Sequence, residues 1–408
     1  MPLTDVNLGN LDLFVPGVPH ELFAELRRDQ PVLRHEEPED PGRWHWCITR
    51  YDDVVTVNRD NHLFSSSREG VLYMNSPEEV LEQHRLMMLN MDPPLHTRYR
   101  LLVNKGFTPR MVGSLEEKIR QAANDIIDAA GARLAAGAGS IDFVTEIAAE
   151  LPLQVIADLM GVPQEDRRKL FDWSNQMVGR EDPEYGVTDE SAMVASMELF
   201  AYANALAAEK RLNPNDDLIS ILSASVVAGD RLSELEIDLF FLLLTVAGNE
   251  TTRNLISNGM LALFENPDQR KLLWNDPSLL NGAVEEMLRY ASPVMHFRRT
   301  ATKDTVVGGQ EIKAGDKVVI WYMSANRDET HFTDPNSFDI RRTPNDHVAF
   351  GGGGPHFCLG ANLARMEIRV MFEELIKRIP DIEQTGPAAR LRSNFINGIK
   401  HLPVRFSV

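Results

Sequence analysis

What this 408-residue sequence has little of narrows its function first. Its two cysteines, Cys47 and Cys358, lie far apart in unlike surroundings, which argues against a disulfide framework and for a reducing compartment. Basic residues are outnumbered, 42 against 60 acidic, and a net charge of −18 argues against a general nucleic-acid binder, because a polyanion is repelled by the average surface. Met1–Pro16 has no basic stretch followed by an apolar one, so neither a signal peptide nor a membrane anchor is expected. The densest apolar run, Leu239–Gly248, falls short of the roughly 20 residues that span a bilayer. A soluble, cytoplasmic protein is the expectation.

What is present suits a large globular core. Hydrophobic residues make up 43% of the chain and charged residues 25%, enough apolar side chain to enclose a ligand and too much for a disordered chain. Strand-like text at Trp44–Ile48 gives way to helix-period segments from about Asp52 to Leu263. Short β-branched runs follow at Thr305–Gly308, Lys317–Tyr322 and Leu402–Val408. No repeat and no low-complexity linker separates the two textures, so one domain over 1–408 is expected, mainly α with a smaller β-rich region. The helical parts fall at about 52–292 and 359–379, the β-rich parts at about 30–50, 293–345 and 385–408.

The clearest element runs from Ser233 to about Glu265. Ser233 and Glu236 form a capping box, and Pro267 ends the helix. At ~1.5 Å per residue it is about 48 Å long. Phe240, Phe241, Leu242, Leu243, Leu244 and Val246 make it apolar nearly all round, so it belongs inside the molecule. Yet its middle reads Ala247-Gly248-Asn249-Glu250-Thr251-Thr252, a carboxylate and two hydroxyls in an apolar rod, which calls for a reason.

Two further motifs carry chemistry. Cys358 ends the loop Phe350-Gly351-Gly352-Gly353-Gly354-Pro355-His356-Phe357, ahead of a helix-period segment from about Ala361 to Arg378. Backbone N–H groups and the dipole at a helix start favour a thiolate, and glycines allow close approach of a flat ligand. Taken alone, the loop reads equally as a phosphate loop or as a cysteine beside a flexible turn, although the Lys then Ser or Thr of a phosphate loop is missing. Zinc is disfavoured by the lack of a second cysteine nearby. Glu286 and Arg289, three apart on a helix, share a face and can pair, a pattern that alone reads as a solvated surface pair.

In this order, the central helix, the Glu286/Arg289 helix and the Cys358 loop resemble the bacterial cytochromes P450. Met91–Arg100, Phe107-Thr108-Pro109, Arg299-Thr300-Ala301, Ala325–Asp328, and Phe332–Pro335 with Phe338 extend the resemblance over nearly the whole chain. It implies haem b with Cys358 as axial thiolate. It also implies a buried structural pair of Glu286 and Arg289, joined by Arg327. His96, Arg100, Arg299 and His356 then neutralise the two haem propionates, as buried carboxylates require. Phe350, Gly351, Gly360 and Ala247 are implied as further cofactor contacts. One departure stands out: Phe350 lies one residue further from Cys358 than in the commonest form of the loop, which leaves its placement open.

The resemblance implies a monooxygenase, since thiolate ligation pushes electron density onto iron and favours O–O cleavage. Gly248 would let the helix bulge, Thr251 would hold an ordered water, and Glu250 would relay protons from solvent. An electron carrier has no use for this acid–alcohol pair, and peroxide-driven relatives generally lack it. With no flavin or iron–sulfur cysteine set in the chain, NAD(P)H-derived electrons are expected from a ferredoxin and its reductase, docking on a patch of Arg98, Arg110, Arg365 and Arg369. A monomer is expected. Substrate contacts would come from Tyr73, Met74, Met87, Met88, Leu243, Val246, Ala247, Val294, Phe297, Phe395 and Ile396, an almost wholly apolar set that also reads as plain core. The longer glycine loop, Ala247–Asn254 and Asn394–Lys400 are similar to members that oxidise sterol side chains and methyl-branched lipids at terminal carbons, with terpenoid hydroxylases as the rival.

Overall fold

The computed structural model describes residues 3, 6–37, 40, 42–227 and 230–407. Contacts divide the chain into two interleaved units. One holds Met1–Thr97, Asn281–Cys358 and Arg390–Gly398, the other Arg98–Leu280, Leu359–Ala389 and Ile399–Val408.

The first unit is built on a five-stranded sheet of β1 (Val32–Glu36), β2 (Trp44–Ile48), β3 (Phe64–Ser65), β4 (His296–Ala301) and β5 (Lys317–Trp321), in the order β1-β2-β5-β4-β3. Among the described residues of this sheet only the β2–β5 pair is parallel. The unbroken apolar run of β5 follows from burial of both sheet faces. Val318 and Ile320 enter one core with Val54 and Val57 of α1 (Tyr51–Arg59), while Val319 and Trp321 enter another with Phe23 and Leu26.

In the second unit, α2 (Glu150–Met160), α3 (Arg167–Val178) and α4 (Asp189–Leu212) pack on the central helix α5 (Glu234–Glu265), and α6 (Ala361–Arg378) follows the cysteine loop. The cap of α5 forms as its sequence dictates: Glu236 N–H donates to Ser233 Oγ at 3.2 Å, and Ser233 N–H to the Glu236 carboxylate at 2.7 Å. Much of its polar interior is satisfied locally, although the amide of the fully buried Asn249 has no hydrogen-bond partner among the described residues. Thr245 donates to Phe241 O, Asn254 to Glu250 O, Ser257 to Arg253 O and Asn258 to Asn254 O, so these side chains stay hydrogen-bonded while buried.

The strands are shorter than expected. Thr305–Val307 stops because Gly308 turns at φ +53°, and β5 stops because Tyr322 opens a helical turn. At the C-terminus only Pro403–Arg405 is strand, and Val408 lies outside the described residues, as do 1, 2, 4 and 5 of the expected anchor-free start. Pro403 and Val404 pair with Ile141–Asp142, a two-residue strand inside a region expected to be helical and too short to show a period. Among the described residues no helix is long and apolar enough to cross a membrane.

Candidate functional site

Gly351, Gly352, Gly353 and Gly354 all take left-handed φ angles, +97°, +62°, +103° and +78°, a run that only glycine adopts without strain. Gly351 N–H donates to Val348 O at 2.8 Å, and Cys358 N–H closes the loop on Phe350 O at 2.9 Å. Phe350 therefore meets the cysteine through its backbone, while its ring lies 6.0 Å from His347 and 6.3 Å from Phe357. Cys358 is exposed, whereas Cys47 is buried and burial pushes its thiol well above the ordinary range. Gly360 caps α6, and a side chain there would meet nothing within 4 Å.

Beside the loop, His96 is buried with its ring 4.2 Å from that of His356. His356 Nε2 meets Ser66 Oγ at 3.2 Å, and Asp92 anchors this turn by accepting from Ser66 N–H at 2.8 Å and Ser67 Oγ at 2.9 Å. Asp92 was visible only as part of a motif. Arg100 lies four residues after His96 on helix Leu95–Val103, hence on the same helix face. Arg299, on β4, is 3% exposed, and its hydrogen bonds go to neutral oxygens, Arg298 O at 2.7 Å and Asn58 Oδ1 at 3.0 Å. Burial pulls its pKa below the ordinary guanidinium value.

Glu286 and Arg289 are fully buried and meet in a two-pronged contact, Nε to Oε2 at 2.8 Å and Nη2 to Oε1 at 2.7 Å. Arg289 also donates to the carbonyls of Asn326, Pro335 and Ser337, pinning the loop between them. The third member differs from expectation. Arg342 donates to Glu286 at 3.1 Å, whereas Arg327 turns to Tyr290, donating to its carbonyl at 3.1 Å and lying 4.0 Å over its ring. A spacing of 53 or more residues hid Arg342 and the Asp339 N–H, which also donates to Glu286.

On α5, burial is interrupted in mid-helix: Leu242, Leu243, Val246, Ala247, Gly248 and Thr251 are partly or wholly uncovered, whereas Leu244, Thr245, Asn249, Glu250 and Thr252 are buried. Thr251 Oγ1 donates to Ala247 O at 2.8 Å. Glu250 points elsewhere. It is 1% exposed, held by Arg253 and reached by Ser174 Oγ of α3 at 3.4 Å, with Arg253 donating to Asn175 at 3.0 Å. The expected bulge at Gly248 is not formed, for the helix is continuous, and a Cβ there would come 2.9 Å from Ile156 of α2, so close helix packing accounts for the glycine.

The cytochrome P450 family model matches residues 274–380. Over 414 aligned residues, 100% of this chain and 96% of the relative, the chain is 45% identical to the methyl-branched lipid omega-hydroxylase of Mycobacterium tuberculosis. It is 43% identical to the steroid C26-monooxygenase of Rhodococcus jostii, covering 97% of this chain and 83% of that one. A solved cytochrome P450 of Mycobacterium marinum, in complex with pseudoionone, superposes with a TM-score of 0.92 at 40% identity, covering 100% and 99% of the two chains. The chain is a cytochrome P450.

As a P450 it is a haem b monooxygenase. The donor set of the first unit fits that group: one exposed thiol that would ligate the iron, and two imidazoles with a buried guanidinium that meets no carboxylate among the described residues, for an anionic edge. In the same unit, Trp321, Phe395 and Tyr73 pack on the buried His296, a residue with no local sequence signal. His296 lies 5.6 Å from Tyr73 and 5.5 Å from Phe395, Phe297 lies 5.5 Å from Phe395, and Val294 bridges to Ile396. Met74 is 57% exposed, Met88 is buried and Met87 is half-buried. The expected basic patch of this P450 is weaker than its composition suggests, because Arg369 is neutralised by Glu116 at 3.0 Å and Glu373 at 2.6 Å.

Proposed function

We propose that this P450 inserts one oxygen atom from O2 into a terminal C–H bond of a steroid side chain or methyl-branched lipid. The observation that carries the substrate class is the full-length similarity, at 43–45% identity, to hydroxylases named for those two substrates.

In this reading Cys358 holds the iron, and His96, Arg100, Arg299 and His356 hold the propionates. Phe350, Gly351, Gly360 and Ala247 line the cofactor. Bound there, the haem supplies dioxygen activation, favoured by electron donation from the thiolate. Glu286 and Arg289 serve the fold beneath this site rather than the reaction. Thr251, partly uncovered in the middle of α5, keeps its own proton on Ala247 O and so offers lone pairs that accept from a water. Glu250 delivers protons only after Arg253 releases it, because a paired buried carboxylate has no path to solvent. Leu243, Val246 and Ala247 give α5 an apolar face for substrate. Electrons arrive from a ferredoxin and its reductase, in the cytoplasm.

A spectral titration tests the substrate. Cholest-4-en-3-one or a methyl-branched fatty acid is expected to convert low-spin ferric haem to high spin. A response to pseudoionone or monoterpene alcohols alone would replace this reading with a terpenoid one, which the Mycobacterium marinum neighbour favours.

A further inference from the structure

Asn58, the second-last residue of α1, is 3% exposed, and all four hydrogen-bonding positions of its amide are used. Nδ2 donates to the carbonyl of Gly351 and to that of Gly353, the latter at 3.0 Å. Oδ1 accepts from Arg299 Nη2 and from the Tyr322 hydroxyl, both at 3.0 Å. Next to it, Arg59 Nε donates to Gly352 O at 2.9 Å. Three successive glycine carbonyls are thus each held by a side chain from the last turn of α1. The fit is close: a Cβ on Gly353 would lie 2.8 Å from Arg59 Nε, and one on Gly354 would lie 2.8 Å from Asn58 O.

Four glycines in a row have the largest backbone freedom a chain can have, so the loop before Cys358 has little rigidity of its own. We infer that Asn58 is a positioning residue for the Cys358 ligand: it fixes the loop that presents the thiol and ties that loop to the guanidinium of Arg299. The inference rests on the reading of Cys358 as iron ligand. A carboxylate, an aliphatic side chain or a hydroxyl at position 58 cannot supply two donors and two acceptors together.

Asn58→Asp in the holoenzyme is the test, because it keeps both acceptors for Arg299 and Tyr322 while removing both donors to the loop. It is expected to bind haem, to lose it to apomyoglobin about tenfold faster, as two lost hydrogen bonds imply, and to move part of the ferrous–CO absorption out of the thiolate band. Tyr322→Phe removes a hydrogen bond from Asn58 without touching the loop and should leave that band intact. If Asn58→Asp does not accumulate, Arg59→Met, a change at a surface position, should shift the same readouts in the same direction to a smaller extent. A wild-type spectrum and haem-loss rate in both Asn58→Asp and Arg59→Met, or an equal spectral loss in Tyr322→Phe, would overturn the inference. Amide hydrogen exchange at Gly351 and Cys358 separates the two claims: it should accelerate in Asn58→Asp whatever Cys358 binds, so a wild-type protein without a thiolate band would sink the ligand reading alone.

Discussion

Glu250 is clamped by Arg253 in a buried ion pair, one residue before Thr251, which is partly uncovered and donates its hydroxyl to Ala247 O. Acid and alcohol adjacent in sequence therefore face different surroundings and should fail differently. Thr251→Ala is expected to keep haem and substrate binding but to send electrons to peroxide. The ratio of product formed to NAD(P)H consumed should fall about tenfold or more. A fully coupled variant would remove Thr251 from the proton path.

Glu250→Gln should instead slow turnover and enlarge the solvent deuterium isotope effect, with less peroxide leak than Thr251→Ala. Arg253→Met leaves the carboxylate buried without its partner and should lower stability by about 3–5 kcal/mol in denaturant titrations. Unchanged kcat in Glu250→Gln would mean that protons travel by another route.

Glu286→Gln withdraws the charge on which both Arg289 and Arg342 converge. Breaking a buried pair from one side costs about 3–5 kcal/mol, so the urea midpoint should fall steeply and haem content with it. A loss below about 1 kcal/mol, typical of an exposed pair, would contradict the burial seen here.

Stability should depend on pH through buried histidines. Burial lowers His296 to about 3 and His35 to about 4, from an ordinary 6.5. Between those values the unfolded chain binds protons that the folded chain refuses, so stability is fully present above about pH 6.5 and is lost as pH falls. Each group contributes up to about 1.4 kcal/mol per pH unit in its window. His296→Gln should flatten the fall in thermal midpoint from about pH 7 to about pH 5. An equal slope in wild type and variant would rule His296 out as a source.

Much of this was legible in the sequence for physical reasons. The Ser233/Glu236 cap of α5, the helix period of α6 and the two-sided burial of β5 follow from local pattern, which also marks Glu250 and Thr251 as out of place in an apolar rod, whereas Cys358 stands out only through the order of the motifs around it. What stayed hidden acts across long separations. Arg342 reaches Glu286 over 56 residues and Asn58 reaches Gly353 over 295, with no spacing rule to connect them. His296 was passed over because a lone histidine in a strand looks like any polar residue until its burial is known. Gly248 was misread because a helix–helix approach and a helix bulge ask for the same residue.

The central claim is that Cys358 binds the haem iron as a thiolate, and the difference spectrum of the reduced, carbon-monoxide-bound protein tests it most directly. The wild-type protein should show the red-shifted Soret band of a thiolate–iron–CO complex, and Cys358→His should keep haem but lose that band. A wild-type spectrum of the histidine-ligated kind, or a Cys358→His protein that retains the red-shifted band, would contradict the account.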